Sequence, residues 1–141
     1  MAAATDPTTE LLKAIRSQLM SDNDLTALFG AAAPVFETIK RNQQMPYILL
    51  REISATANDD DQGRRGKIHL IELRFYDAER TSANVRAWMR AAELSLDRAS
   101  FAVTGHTLVN SGFVSGFVEP DGRGRGFRGR QRLRFATEEI A

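Results

Sequence analysis

The segment Lys67–Asp77 alternates apolar side chains with a period of two, which is typical of a β-strand and incompatible with a helix. Ile71, Leu73 and Phe75 fall on one face of this predicted strand. The other face is apolar at its start and charged from Glu72 onward. We therefore expect a strand whose first half is covered on both faces and whose second half is covered on one face. Such a strand needs neighbouring strands and a layer of other elements packed against it.

The remainder of the chain supplies such neighbours. Apolar residues recur at helical spacing in about 7–20 and again in a segment that Thr81 or Ser82 opens, and a short helical turn is predicted at 22–29. The polar segment 58–67 cannot bury anything and is predicted to be a solvated loop between strands. The strand patterns lie at 35–36, 47–53, 67–77, 100–104, 107–118 and 127–137.

These elements predict an α+β fold, in which two amphipathic helices pack on one face of a mainly antiparallel sheet in the order α–β–β–α–β–β–β. A length of 141 residues suits a single domain, 1–141. Within 107–118, simple alternation places Val109, Phe113 and Phe117 on one face. Trp88 is expected to anchor the core.

Composition excludes several classes of protein. The chain has no cysteine, which removes disulfides, thiol catalysis and cysteine-ligated zinc. No apolar run approaches the roughly 20 residues of a membrane span, and the start has neither the basic head nor the apolar core of a signal peptide. With 19 basic and 18 acidic residues, the formal net charge is +1. We expect a soluble intracellular protein without a membrane partner.

The C-terminal strand carries the most unusual pattern. Six arginines occur within the twelve residues 123–134 with no acidic residue among them, and the last four alternate with other side chains. A period of two places Arg128, Arg130, Arg132 and Arg134 on one face. Three interpretations remain open for this face: a solvated surface, an interface with an acidic protein surface, or contact with DNA phosphates.

Motifs of catalysis and of ligand binding are weak. Residues 124–129 match the dinucleotide pattern G-x-G-x-x-G, but a strand pattern follows where that site needs a helix. The acidic run at 59–61 lacks the spacing of a calcium loop. His69, expected at a strand end, and His106, expected in a turn, lack zinc-enzyme spacing. We therefore predict no catalytic, cofactor-binding or metal-ligating residue, and no enzyme.

Several packing and turn motifs, taken in order, resemble a known family. They are the helix Thr9–Arg16, the turn Asp24–Gly30, the segments Val35–Phe36 and Met45–Leu49, the strand Gly66–Tyr76, the hairpin Gly105–Val109 and the end strand Arg132–Phe135. The chain resembles the tail completion, or tail terminator, proteins of long-tailed phages and phage-like gene transfer agents. The dense Arg-Gly run at 122–130 departs from that family's pattern.

The resemblance implies a structural role without cofactor or bond chemistry. Proteins of this family form a hexameric ring that caps the finished tail tube, stops its polymerisation and offers a surface to the head connector, while DNA passes through the lumen. The implied partners are other copies of the chain, the tail tube protein and the connector or stopper protein. The implied location is the tail or neck of the particle, and the host cytoplasm during assembly.

Charge is divided unevenly along the chain, which favours an assembly protein. Residues 1–122 hold 13 basic and 16 acidic residues, whereas 123–141 hold six and two. We favour protein contacts for the arginine strand, because a strongly basic lumen would retain DNA. The rival hypothesis is a small nucleic-acid-binding module that uses this strand. The candidate interface residues are Arg123, Arg125, Arg128, Arg130, Arg132, Arg134, Asp59, Asp60, Asp61, Arg64 and Arg65.

Overall fold

The first helix begins and ends as its local signals predict. The computed structural model describes residues 5–59, 63–122 and 126–140. Helix α1 spans Pro7–Met20, and the Asp6 side chain caps it by accepting a hydrogen bond from the backbone N–H of Thr9 at 2.8 Å. Its stripe of Leu11, Ile15 and Leu19 is fully buried. The apolar spacing thus identified the packing face correctly.

Two further helices complete the helical layer. The short helix α2 spans Asn23–Phe29 and ends at Gly30, whose φ of 75° lies in the left-handed region. Helix α3 spans Ala83–Leu96 and packs with α1 on one face of the sheet. Trp88 is buried and stacks on Phe29 with ring centroids 4.4 Å apart, which confirms it as a core anchor. No helix among the described residues is long and apolar enough to cross a membrane.

In the part of the chain that the structure describes, five strands form a single sheet in the order β1-β2-β3-β5-β4. The strands are β1 Val35–Phe36, β2 Tyr47–Ala57, β3 Gly66–Asp77, β4 His106–Pro120 and β5 Phe127–Glu139. Every neighbouring pair is antiparallel except β1 and β2. The inner face, against the helices, buries Ile71, Leu73 and Phe75 of β3, as the alternation predicts. The α+β class is confirmed among the described residues: α1 and α3 are the two predicted amphipathic helices, and α2 is the helical turn predicted at 22–29.

The strand predicted at 100–104 is wrong. This segment makes only an isolated bridge, between Val103 and His106, before the turn at Gly105. The residues just after α3 instead lie against β4, where the Arg98 N–H donates to the Ser111 carbonyl at 3.0 Å. The Ser111 hydroxyl accepts a hydrogen bond from the Ala99 N–H at 2.9 Å. A side-chain hydrogen bond thus takes the place of a backbone bond between paired strands.

Two register shifts in β4 correct the predicted faces of that strand. They fall between Leu108 and Asn110 and between Phe113 and Ser115. Each shift adds a residue to β4 relative to β5, and an added residue reverses the faces that follow it. Phe113 and Phe117 were predicted on one face. Phe113 instead pairs with buried Leu133 of the inner face, whereas Phe117 pairs with Arg130 of the outer face.

Candidate protein interface

Six arginine side chains of the described residues lie on the outer face of the sheet, which is the face turned away from the helices. Gly129, Gln131 and Leu133 of β5 are buried toward the helices, so the alternating arginines of β5 lie on the other side. The register of β2 and β3 adds two more arginines to the same side. We call this surface the arginine face, and it comprises Arg51, Arg74, Arg128, Arg130, Arg132 and Arg134.

A buried glutamate lies at the centre of the arginine face. Glu72 of β3 pairs with Arg51 on one side and with Arg132 on the other, and its side chain is only 1% exposed. Its carboxylate accepts a hydrogen bond from Arg74 Nε at 2.9 Å and lies 3.5 Å from Arg132 Nε. Burial opposes the charge of Arg74, but the hydrogen bond and ion pair with Glu72 raise its pKa. One carboxylate thus holds two guanidinium groups in place.

The edge of the arginine face next to β4 has weaker partners. Arg128 Nε donates to Glu119 Oε1 at 2.6 Å in a half-exposed ion pair. Arg134 is exposed, and its Nη1 lies 3.4 Å from the Asn110 side-chain oxygen. The guanidinium of Arg134, like that of exposed Arg51, is therefore available to an external carboxylate or phosphate.

Arg130 has no carboxylate partner among the described residues. It lies directly opposite Arg74, a like charge, in the pairing of β3 with β5. Its guanidinium carbon lies 5.8 Å from the centre of the Phe117 ring, a cation–π distance. Its Nε is buried and has no hydrogen-bond partner among the described residues. The site therefore contains a desolvated donor without an acceptor.

Local sequence patterns do not identify Arg51, Arg74, Glu72 and Glu119 as members of this surface. Glu72 and Arg74 belong to the more charged side of β3, which is a usable signal. Their proximity to Arg130 and Arg132 depends on the pairing of β3 with β5, across about 60 residues of sequence. Local patterns do not determine that register. Of the predicted arginines, Arg123 and Arg125 lie outside the described residues.

The loop candidates lie beyond one end of the arginine face, whose nearest member, Arg134, is four residues from Glu138 along β5, about 13 Å. Asp59 Oδ1 accepts from the Gly66 N–H at 3.3 Å, Arg64 lies 3.8 Å from Glu138, and the Arg65 carbonyl accepts from the Glu139 N–H. These contacts fix the flanks of the loop at one end of the sheet. Arg128 pairs near the other end, about 30 Å away along an extended strand. Asp60 and Asp61 lie outside the described residues.

The two histidines lie elsewhere than predicted. His69 is in the interior of β3 and fully buried, and its Nε2 lies 2.9 Å from the Thr137 hydroxyl. His106 is buried at the start of β4, not in a turn, with Nε2 3.1 Å from the Thr5 hydroxyl. Burial lowers the pKa of His69 to about 4, and nearby Lys67 contributes to the decrease. We therefore interpret His69 as an uncharged residue that packs within the sheet.

The geometry gives no support to a ligand site at the glycine pattern 124–129. The strand β5 begins at Phe127, within the pattern, so no helix N-terminus follows to hold a pyrophosphate. A Cβ on Gly129 would meet the side chains of Met89 and Val85, so this glycine allows close packing of α3 on the sheet. Across residues 5–59, 63–122 and 126–140, no three His, Asp or Glu side chains are grouped to hold a metal ion.

Comparison with known proteins identifies a family and solved structures of similar fold. The family model described as tail completion protein gp17 matches residues 13–138. A solved chain from "Virion of native gene transfer agent (GTA) particle" superposes with a TM-score of 0.82 over 94% of this chain and 97% of that chain. The two sequences are 20% identical, so this likeness shows the fold. A search of curated proteins gave no match.

Proposed function

The chain belongs to the family of tail completion protein gp17 and is a structural protein of a phage-type tail, and we propose that it acts as a tail terminator. In this role a ring of copies binds the end of the tail tube and stops further polymerisation. The opposite side of the ring then binds the head connector or stopper protein. DNA passes through the lumen without sequence-specific binding, and no cofactor or bond chemistry takes part.

The single observation that carries this proposal is the family match over residues 13–138. The fold likeness to a chain of a gene transfer agent virion supports the same location, in the tail or neck of a particle after assembly in the host cytoplasm. The whole chain, 1–141, acts as one domain in this proposal, and a hexamer is the ring we expect. The arginine face adds a charged surface of the kind that such an assembly uses for protein contacts.

Deletion of the gene tests the role directly. Without a terminator, tube growth has no stop, so electron microscopy should show tails of irregular and excessive length beside unjoined heads. Complementation with the wild-type chain should restore tails of uniform length joined to heads. Normal joined particles from the deletion strain would contradict the proposal.

The loop 56–67, of which 58–65 lies between β2 and β3, has a separate proposed role in contacts with a neighbouring copy or the tail tube. Its described flanks are exposed and carry both signs of charge, at Asp59, Arg64 and Arg65. The double charge reversal Arg64→Glu and Arg65→Glu should reduce the yield of joined particles, while the thermal unfolding midpoint stays nearly unchanged. Normal particle yield with this variant would remove the segment from the interface.

A further inference from the structure

We propose that the arginine face binds carboxylates presented by a second copy of this chain, with Arg130 at the centre of the contact. The inference rests on the ring of the proposed function and names the surface through which its copies meet. It differs from the expectation based on sequence in two respects. The surface includes Arg51 and Arg74 from other strands. The carboxylates that already lie within it, Glu72 and Glu119, bind some of its arginines and leave the others for a partner.

The arginine face already binds carboxylates at two positions. Glu72 holds Arg74 and Arg132, and Glu119 holds Arg128, in each case through an Nε hydrogen bond or ion pair. Arginine's planar group and the carboxylate have matching geometry, so these intramolecular pairs show which ligand the side chains are oriented to receive. The positions at Arg51, Arg130 and Arg134 lack such an ion pair among the described residues.

Arg130 is the position where an external acceptor gains most. Its Nε is already desolvated without a hydrogen bond, a condition that costs free energy in the separate protomer. The opposing charge of Arg74 adds repulsion, and the Phe117 ring holds the guanidinium in place. A carboxylate bound to the exposed part of the Arg130 guanidinium, beside Arg74, would reduce this repulsion.

The surroundings of these arginines favour a protein over a nucleic acid. Half-buried or exposed apolar side chains, Leu49, Leu70 and Phe117, lie among them, and Tyr47 stacks on Tyr76 with ring centroids 4.7 Å apart. Arginine with aromatic residues is the composition of protein-interface centres. The central carboxylate of Glu72 would repel a phosphate backbone that lay across the face.

The charge distribution of the chain identifies a second copy as the partner. Residues 123–141 carry a net charge of +4, and residues 1–122 carry −3. The surface of a second copy outside its own arginine face therefore carries more carboxylates than cations. When that surface meets the arginine face, the opposite charges of the two surfaces largely cancel. A contact between two different surfaces is also the kind that repeats around a closed ring.

Charge reversal at one residue tests the inference. Arg130→Glu should raise the dissociation constant of the copy–copy complex at least tenfold, measured by sedimentation velocity and native mass spectrometry at low and physiological salt. Arg86→Glu is the matched control, because Arg86 is exposed on α3, on the opposite side of the sheet, and this variant should associate like the wild type. Arg130→Gln, which introduces no new charge, gives a second measurement if Arg130→Glu fails to fold.

Each other outcome has a definite meaning. Wild-type association by both Arg130 variants would overturn the proposal, as would equal weakening by Arg86→Glu. If the Arg130 variants associate like the wild type but lose a salt-sensitive DNA gel shift, the face binds nucleic acid, and the proposal is also overturned. Particle assays separate the two hypotheses: if the gene deletion leaves tails unjoined but the Arg130 variants restore them, the tail role holds and this contact does not.

Discussion

Arg74 and Arg130 lie directly opposite each other on β3 and β5, on the face of the sheet that the helices leave uncovered. Arg74 is compensated by the buried carboxylate of Glu72, whereas Arg130 lies over the Phe117 ring and has no ion pair among the described residues. Like charges in directly opposed positions destabilise a sheet. The protomer thus retains an unfavourable pair at the position where we infer a contact with another copy.

Replacement of Arg130 should therefore stabilise the isolated protomer. Arg130→Gln removes the like-charge repulsion and should raise the free energy of unfolding by about 0.5 kcal/mol, measured by urea denaturation at low salt. The gain should shrink in high salt, because salt screens the repulsion. Loss of stability in Arg130→Gln at low salt would show that Phe117 fully compensates the guanidinium.

Removal of the central carboxylate should have the opposite effect. Glu72→Gln leaves two arginines beside a neutral amide in a buried position, and breaking a buried pair in this way costs about 3 kcal/mol. Glu119→Gln is the control, because its ion pair with Arg128 is half-exposed and its loss should cost under about 1 kcal/mol. Urea unfolding curves of both variants provide the measurement, and equal effects would refute a special role for Glu72.

The buried imidazole of His69 makes stability depend on pH. Its pKa is lowered to about 4 in the folded protein, so the unfolded chain binds a proton more readily between about pH 6.5 and pH 4. Stability should be complete above this window and decrease as pH falls through it, by up to about 3 kcal/mol. Unfolding measured at pH 7.5 and pH 4.5 should differ less in His69→Gln than in the wild type.

A larger side chain at Gly129 should disturb the packing of α3 on the sheet. A Cβ there would lie 2.7 Å from Val85 Cγ1 and also too close to Met89, so Gly129→Val should cost about 2 kcal/mol by overpacking. Gly122→Ala is the control, since nothing lies within 4 Å of its added Cβ. Thermal unfolding of the two variants distinguishes a packing requirement from a general effect of replacing glycine.

The sequence predicted those elements whose signals are local. Asp6 and Gly30 marked the ends of helices, and the alternation in Lys67–Asp77 identified the inner face of β3 correctly. Each of these features is determined by residues a few positions apart. The family resemblance was likewise confirmed, by a match that covers residues 13–138.

Features that depend on pairing between distant segments could not be predicted in the same way. The bulges of β4 exist only relative to β5, so alternation alone placed Phe113 and Phe117 on one face. Burial of Glu72 requires β2 and β5 on either side of β3. From local sequence alone, a charged residue in a strand is predicted to be solvated. Only the pairing of β3 with its two neighbouring strands brings Glu72 between arginines.

The segment after α3 has a consequence for how copies can add to one another. Arg98 and Asp97 bond to the backbone of Ser111 and Phe113 in the middle of β4, an edge strand of the sheet. An edge strand with a free backbone invites other chains to extend the sheet, which produces fibres of undefined length. Here the edge is closed at its centre and bent by two bulges. Growth by strand addition is thereby discouraged, and assembly is directed to side-chain surfaces, where the number of copies can be limited.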